Sequence, residues 1–170
     1  MRQSLSAEVL ERLKGKRLAT AESLTGGGIG SAITAVPGAS AVYAGGIISY
    51  TNHVKHKLLG VSEELLTRFG AVSAPVAEAM AQGARRALDA DIAVSVTGLA
   101  GPDGDEFGHS VGTVFIGYAD GHTVCCEEHH FSGDRQQIRQ QTIDAGLELI
   151  LRQNTCGRTP ADNGSILSLI

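Results

Sequence analysis

The chain has 170 residues, 42% of them hydrophobic and 19% charged, with a net charge of −4, which is enough for one domain with a full core and too little for two. No basic run exceeds Lys14-Gly15-Lys16-Arg17, and aromatic residues make up only 4%, without Trp, which argues against a nucleic-acid surface built from a basic stripe and stacking rings. No apolar stretch reaches membrane-spanning length and the N-terminus lacks the apolar centre of a signal peptide, so no membrane role and a cytoplasmic location are expected.

Taken in chain order, residues 5–13 carry helical spacing. Residues 17–21 read as a short strand that runs into Glu22-Ser23-Leu24-Thr25-Gly26-Gly27-Gly28. Small apolar residues then support a helix to about residue 35, stopped by Pro37-Gly38. Residues 43–50 form a second strand, in which Gly45-Gly46 permits twist or close backbone approach. A short helix over 52–59 ends at Gly60, and Ser62-Glu63-Glu64 caps another that reaches Phe69-Gly70. Ser73 and Pro75 open the clearest helix, 74–88, rich in alanine.

Residues 91–97 are a buried-type strand leading directly into Thr97-Gly98-Leu99-Ala100-Gly101-Pro102-Asp103-Gly104. Two further strands, 111–119 and 122–131, are joined at Asp120-Gly121, a strong hairpin signal. A last helix covers about 135–152, and the polar stretch from residue 154 to 170 is expected to be a loose tail after a domain spanning 1–153. The alternation predicts an α/β fold whose mixed sheet is covered on both faces.

Cys125, Cys126 and Cys156 fit a reducing compartment, because an adjacent pair on a strand points to opposite faces and the total is odd. His129-His130 diverge for the same reason, so neither a metal site nor a cofactor is expected.

Four polar segments carry chemistry. The Glu22–Gly27 turn sits at a strand-to-helix junction, where glycines admit a ligand and free N–H groups attract an anion. A capped helix start explains the same residues equally well. Ser40, Tyr50 and Lys55 are placed to meet at one end of the sheet, as a serine needs a base and a lysine with a depressed pKa is one. The competing reading has Ser40 capping a turn, Tyr50 packed at a rim and Lys55 solvated. Thr97 and Gly98 stand where ligands bind in open α/β sheets, beyond a strand's carboxyl end. Arg135, at a helix start that its charge disfavours, fits a phosphate or carboxylate contact, or a salt bridge with Asp134.

Together these segments, with Gly46–Asn52, Gly70-Ala71-Val72-Ser73, Val111-Gly112-Thr113-Val114 and Gly133-Asp134-Arg135, resemble the CinA C-terminal domain family, in order over about residues 5–152. That family includes the bacterial nicotinamide mononucleotide deamidases. The resemblance implies a three-layer α/β/α sandwich, a homo-oligomer, and hydrolysis of the carboxamide of nicotinamide mononucleotide to nicotinate mononucleotide and ammonia. It also implies catalytic roles for Ser40 (nucleophile), Lys55 (base) and Tyr50 (proton transfer). The substrate contacts it implies are Thr97, Gly98, Arg135 or Arg139, and the turn of Glu22, Ser23, Thr25, Gly26 and Gly27. Ser23 and Ser49 stay open as rival nucleophiles.

Two departures bear on substrate preference and tail: the loop Asp105-Glu106-Phe107-Gly108-His109-Ser110, and residues 154–170. The separate N-terminal domain of full-length CinA proteins has no counterpart, and the chain is expected to fold and act alone without metal. The alternatives are a non-catalytic nucleotide-binding or interaction module, and an amidase for a related pyridine amide.

Overall fold

The computed structural model describes residues 4–155. Its elements are α1 (Leu5–Arg12), β1 (Leu18–Glu22), α2 (Gly28–Thr34), β2 (Tyr43–Ile48), α3 (Asn52–Leu59), α4 (Glu63–Phe69), α5 (Ala74–Ala87), β3 (Ile92–Gly98), β4 (Thr113–Ala119), β5 (Val124–His130) and α6 (Arg135–Gln153), with a single 3-10 turn at Ala39–Ala41. The five strands form one sheet in the order β2-β1-β3-β4-β5. β1 pairs in parallel with both β2 and β3, while β3–β4 and β4–β5 are antiparallel. The sheet is therefore mixed, as the alternation predicts.

Strand alternation sorts the core into two faces. Leu18, Val94 and Val96 pack with Val9, Ile29, Ile138 and Ile150, so α1, α2 and α6 cover one side. Ala19, Ala21 and Ala93 face Val76, Met80 and Ala84 of α5 on the other. Small residues on that second face let α5 lie close to the sheet. A Cβ at Gly117 would overlap the Ala77 carbonyl oxygen, and one at Gly83 would overlap the backbone of Leu59. Helix α5 therefore seats against β4 and α3 only because both positions lack a side chain. The result is the three-layer α/β/α arrangement.

The helix starts follow their caps. Ser4, Thr51 and Ser62 accept from the N–H three residues on, and Asp134 with Gln137 makes a reciprocal capping box on α6. The β4–β5 hairpin turns where Asp120 accepts from the His122 and Thr123 amides. Of the predicted tail only its first two residues are described. Asn154 closes α6, with its amide donating to the buried Tyr118 hydroxyl and to Ile150, and its carbonyl accepting from Arg12. Residues 156–170, and Cys156 with them, lie outside the described residues. Among the described residues no helix is long and apolar enough to cross a membrane.

The strand order has one consequence for function. From β1 the chain passes to β2 on one side and later to β3 on the other, so the order reverses at β1. In open α/β sheets ligands bind beyond the carboxyl ends of the strands at such a reversal. The residues standing there are Ser23, Ser49 and Gly98.

Candidate active site

Beyond the carboxyl end of β1 lies a cavity of about 250 Å³, lined among others by Ser23, Tyr50, Lys55, Thr97, Asp103 and Arg135. Its floor is a pair. Lys55 Nζ lies 3.0 Å from Ser23 Oγ and donates to the Ser49 carbonyl at 2.7 Å. Ser23 follows the last residue of β1, and Lys55 stands one turn into α3, whose start Thr51 fixes by accepting from the Val54 amide. The lysine is 1% exposed. Its two hydrogen-bond partners are neutral oxygens, so burial without a counter-charge disfavours the ammonium and lowers its pKa from 10.5 to about 8. A serine hydroxyl beside an amine of lowered pKa is an arrangement that can activate a nucleophile.

Ser40 is not brought to this pair. It is exposed in the 3-10 turn before β2, its carbonyl accepting from Arg17, and it borders a separate hollow with Thr34, Pro37 and Tyr43. Lys55 lies beyond the opposite end of β2. Six residues of strand, at about 3.3 Å each, put roughly 20 Å between the two ends. The three residues expected to meet are thus two and one, and the hydroxyl beside Lys55 is that of Ser23. Ser49 contributes its carbonyl, whereas its buried Oγ has no hydrogen-bond partner among the described residues.

The turn after β1 also differs from expectation. Glu22 is 2% exposed and faces away from the cavity. Its carboxylate accepts from the Ile29 and Gly30 amides at 2.7 and 3.0 Å, and from the hydroxyls of Thr25 and Thr20 at 2.7 and 3.2 Å. The start of α2 is therefore already capped by an internal anion and is closed to a substrate phosphate. Thr25 is held in the same clasp, so both side chains are taken up by partners within the protein. Gly26 and Gly27 serve the turn itself, with φ of +61° and +101°. The second candidate arginine, Arg139, belongs to this clasp too. Its Nε and Nη2 each donate at 3.0 Å, to the Leu24 and Thr25 carbonyls. Both sides of the segment carrying Ser23 are thereby pinned.

The remaining candidates form the walls. The Thr97 hydroxyl donates to the Ala71 carbonyl at 2.8 Å, fixing the segment before α5 against β3. Gly98 has Thr113 and Val114 so close that a Cβ would displace them. At the rim, Arg135 leans across from the start of α6. It donates to the Gly101 carbonyl at 2.6 Å and to the Tyr50 hydroxyl at 3.3 Å. Asp134 caps the helix and makes no ion pair with it. A larger cavity of about 540 Å³ opens beside the other face of α3, around His53, His56, Glu63 and Phe107. It contains no hydroxyl bonded to a base. Among the described residues no three His, Cys, Asp or Glu side chains gather so as to hold a metal ion.

Sequence reading named the segments that hold Asp103 and Ala71-Val72 without singling these residues out as cavity walls, and it did not foresee the internal clasp around Glu22. The signal for Ser23 was present. It directly follows a buried strand, whereas Ser40 follows a helix.

Comparison with known proteins identifies the family and the fold. The family model of the CinA C-terminal domain matches residues 2–154. The nicotinamide-nucleotide amidohydrolase PncC of Pseudomonas putida is 48% identical over 139 residues, covering 82% of this chain and 87% of that protein. A CinA-like protein of Synechococcus is 58% identical over 115 residues, covering 66% of this chain but only 27% of its own length. Among solved structures, the CinA superfamily protein from Enterobacter cloacae superposes with a TM-score of 0.87 at 31% identity, covering 91% of this chain and 96% of the other.

Proposed function

This chain belongs to the CinA C-terminal domain family, and from that premise we propose that it is an amidohydrolase acting on the carboxamide of nicotinamide mononucleotide, with Ser23 as nucleophile and Lys55 as general base. One observation carries the reading: a buried lysine without a counter-charge, 3.0 Å from a serine hydroxyl at the floor of a cavity. The substrate class comes from the PncC relative, which this chain matches over most of both lengths.

The steps follow from that pair. With Lys55 neutral, the Ser23 O–H donates to Nζ. Oγ attacks the carboxamide carbon while its proton passes to the lysine. The tetrahedral oxyanion forms beside the turn after Ser23, where the Leu24 amide makes no hydrogen bond among the described residues and is free to donate. Collapse of the intermediate breaks the C–N bond, and the Lys55 ammonium returns its proton to the departing nitrogen, releasing ammonia. Neutral Lys55 then takes a proton from water, whose oxygen attacks the Ser23 ester. Cleavage of that ester frees the carboxylate and restores the serine. Glu22 and Arg139 hold the turn so that Oγ and the amide keep their places.

The test is ammonia release from nicotinamide mononucleotide, with mass-spectrometric mapping of the trapped acyl-enzyme. Ser23→Ala is expected to bind substrate and lose at least about a thousandfold in kcat. Ser40→Ala is expected to stay within about twofold of the parent. An acyl group on Ser40, or full turnover by Ser23→Ala, refutes the assignment.

A further inference from the structure

The reacting cavity has two neighbours and is joined to them differently. On one side lies an apolar hollow of about 580 Å³ that shares Ala100, Gly101 and Arg135 with it, so the two are continuous. On the other lies the hollow of about 540 Å³ beside α3, which among the described residues shares no lining residue with it. Yet the same three segments run past both. Tyr50, Ala71 and Asp103 line the cavity, whereas Asn52, Thr67 and Glu106 of those segments line the hollow.

The contact that divides them is Phe107 on Gly70. A Cβ at Gly70 would stand 2.6 Å from two ring carbons of Phe107. This glycine, with φ of +76°, ends α4 and turns the chain toward Ala71. The ring therefore lies against the backbone between Thr67 and Ala71, at the boundary itself. Its own loop holds it there. Asp105 Oδ1 accepts from the Phe107 and His109 amides at 3.1 and 2.9 Å, and Oδ2 meets His109 Nδ1 at 2.8 Å. The His109 ring meets Phe115 of β4 edge-on, with centroids 5.9 Å apart. Phe107 remains 43% exposed and so contributes little to the core. Its effect is on the space around it.

We propose that Phe107 is a specificity-determining residue of this site: seated on Gly70, it closes the cavity on the side away from the sugar phosphate and restricts turnover to an unsubstituted pyridine carboxamide, with Asp105 as the residue that positions it. The inference rests on the amidohydrolase reading above. The carboxamide lies at Ser23 Oγ and the sugar phosphate leaves through the continuous side, so the ring edge farthest from the sugar faces the closed side. A methyl group on that edge meets the partition. One extra carbon in a closed pocket changes kcat/KM by about ten- to two-hundredfold.

The test is ammonia release from nicotinamide mononucleotide and from its 5-methyl and 6-methyl derivatives, the first substituted on the far ring edge and the second beside the sugar. The reading is the ratio of kcat/KM for each derivative to that for the parent nucleotide, which a mere loss of folded protein leaves unmoved. Wild-type protein is expected to discriminate against the 5-methyl nucleotide by at least about tenfold. Phe107→Ala should raise the 5-methyl ratio about tenfold and the 6-methyl ratio less than about twofold. Phe107→Tyr keeps the ring and should keep both wild-type ratios within about twofold. Asp105→Ala frees the loop and should raise the 5-methyl ratio about threefold or more. Asp105→Asn, whose oxygen still accepts from both amides, should restore it. Equal 5-methyl ratios in wild type and Phe107→Ala overturn the proposal, as does a wild-type enzyme that accepts the 5-methyl nucleotide as readily as the parent one. A rise of both ratios alike overturns it too, since that marks a general loosening of the cavity. Where wild type hydrolyses nicotinamide mononucleotide and any of these results is found, this inference alone fails. If wild type releases ammonia from none of the three, the substrate assignment fails and takes the inference with it.

Discussion

Replacing Lys55 by Met tests the depressed pKa directly, because methionine keeps the length of the buried stem and removes the charge. The sign follows from linkage. Lys55 titrates near 8 in the folded protein and near 10.5 in the unfolded chain. Below pH 8 both states hold the proton, and the fold bears the full penalty of a buried ammonium, about 3 kcal/mol from the difference of the two values. Between pH 8 and 10.5 the unfolded chain binds more protons, so wild-type stability gains with pH until the penalty is gone. Lys55→Met has no such penalty at any pH, but it leaves the Ser49 carbonyl and Ser23 Oγ without their donor, which offsets roughly 1–3 kcal/mol.

The variant should therefore equal or exceed the parent in stability at pH 7 and fall below it at pH 10, a change in the difference of roughly 2–3 kcal/mol. Urea denaturation of both proteins at the two pH values measures it, and other titrating groups cancel in the comparison. The same pKa governs the rate. At pH 7 about a tenth of Lys55 is neutral, so kcat/KM should rise tenfold per pH unit below 8 and level off above it. Lys55→Arg should be inactive, since arginine stays protonated. A stability difference independent of pH, together with a flat rate profile, would refute the reasoning.

Two further substitutions separate the parts of the turn. Glu22→Gln puts an amide N–H against the Ile29 or Gly30 donor, and is expected to lower stability by about 2 kcal/mol in urea unfolding and to reduce kcat through Ser23, with KM little changed. Arg139→Lys cannot span the Leu24 and Thr25 carbonyls with one ammonium. It should lower kcat about tenfold while calorimetric affinity for the mononucleotide holds.

The elements were legible because caps and periodicity speak locally. Thr51 and Gly60 bracket α3 as residues 52–59 imply, and Ser62 and Asp134 mark their helix starts. Side-chain partners distant in the chain were not legible. Nothing in Arg139 says that it reaches Leu24, 115 residues away, and nothing in Asn154 says that it anchors to Tyr118 rather than opening a tail. Glu22 illustrates the same limit. An acidic residue before a glycine turn reads as ligand-facing until alternation along β1 turns it inward with Leu18 and Thr20, toward the start of α2.

The separation of Ser40 from Tyr50 and Lys55 has a more instructive cause. Ser40, Tyr50 and Lys55 lie within sixteen residues, and nearness in sequence passed for nearness in space, although a strand separates the first from the others. Residues on either side of one strand stand at opposite edges of the sheet. Residues that follow different parallel strands stand at the same edge. Ser23 follows β1, Ser49 and Tyr50 follow β2, and Gly98 ends β3. Once the alternation of elements implies parallel pairing, the groups able to meet are those just past each strand's carboxyl end. Ser23 and Lys55, 32 residues apart, satisfy that rule through β1 and the start of α3, whereas Ser40 precedes its strand and fails it. The rule needs only the order of elements, so the distance between Ser40 and Lys55 was open to physical argument before any coordinate was known.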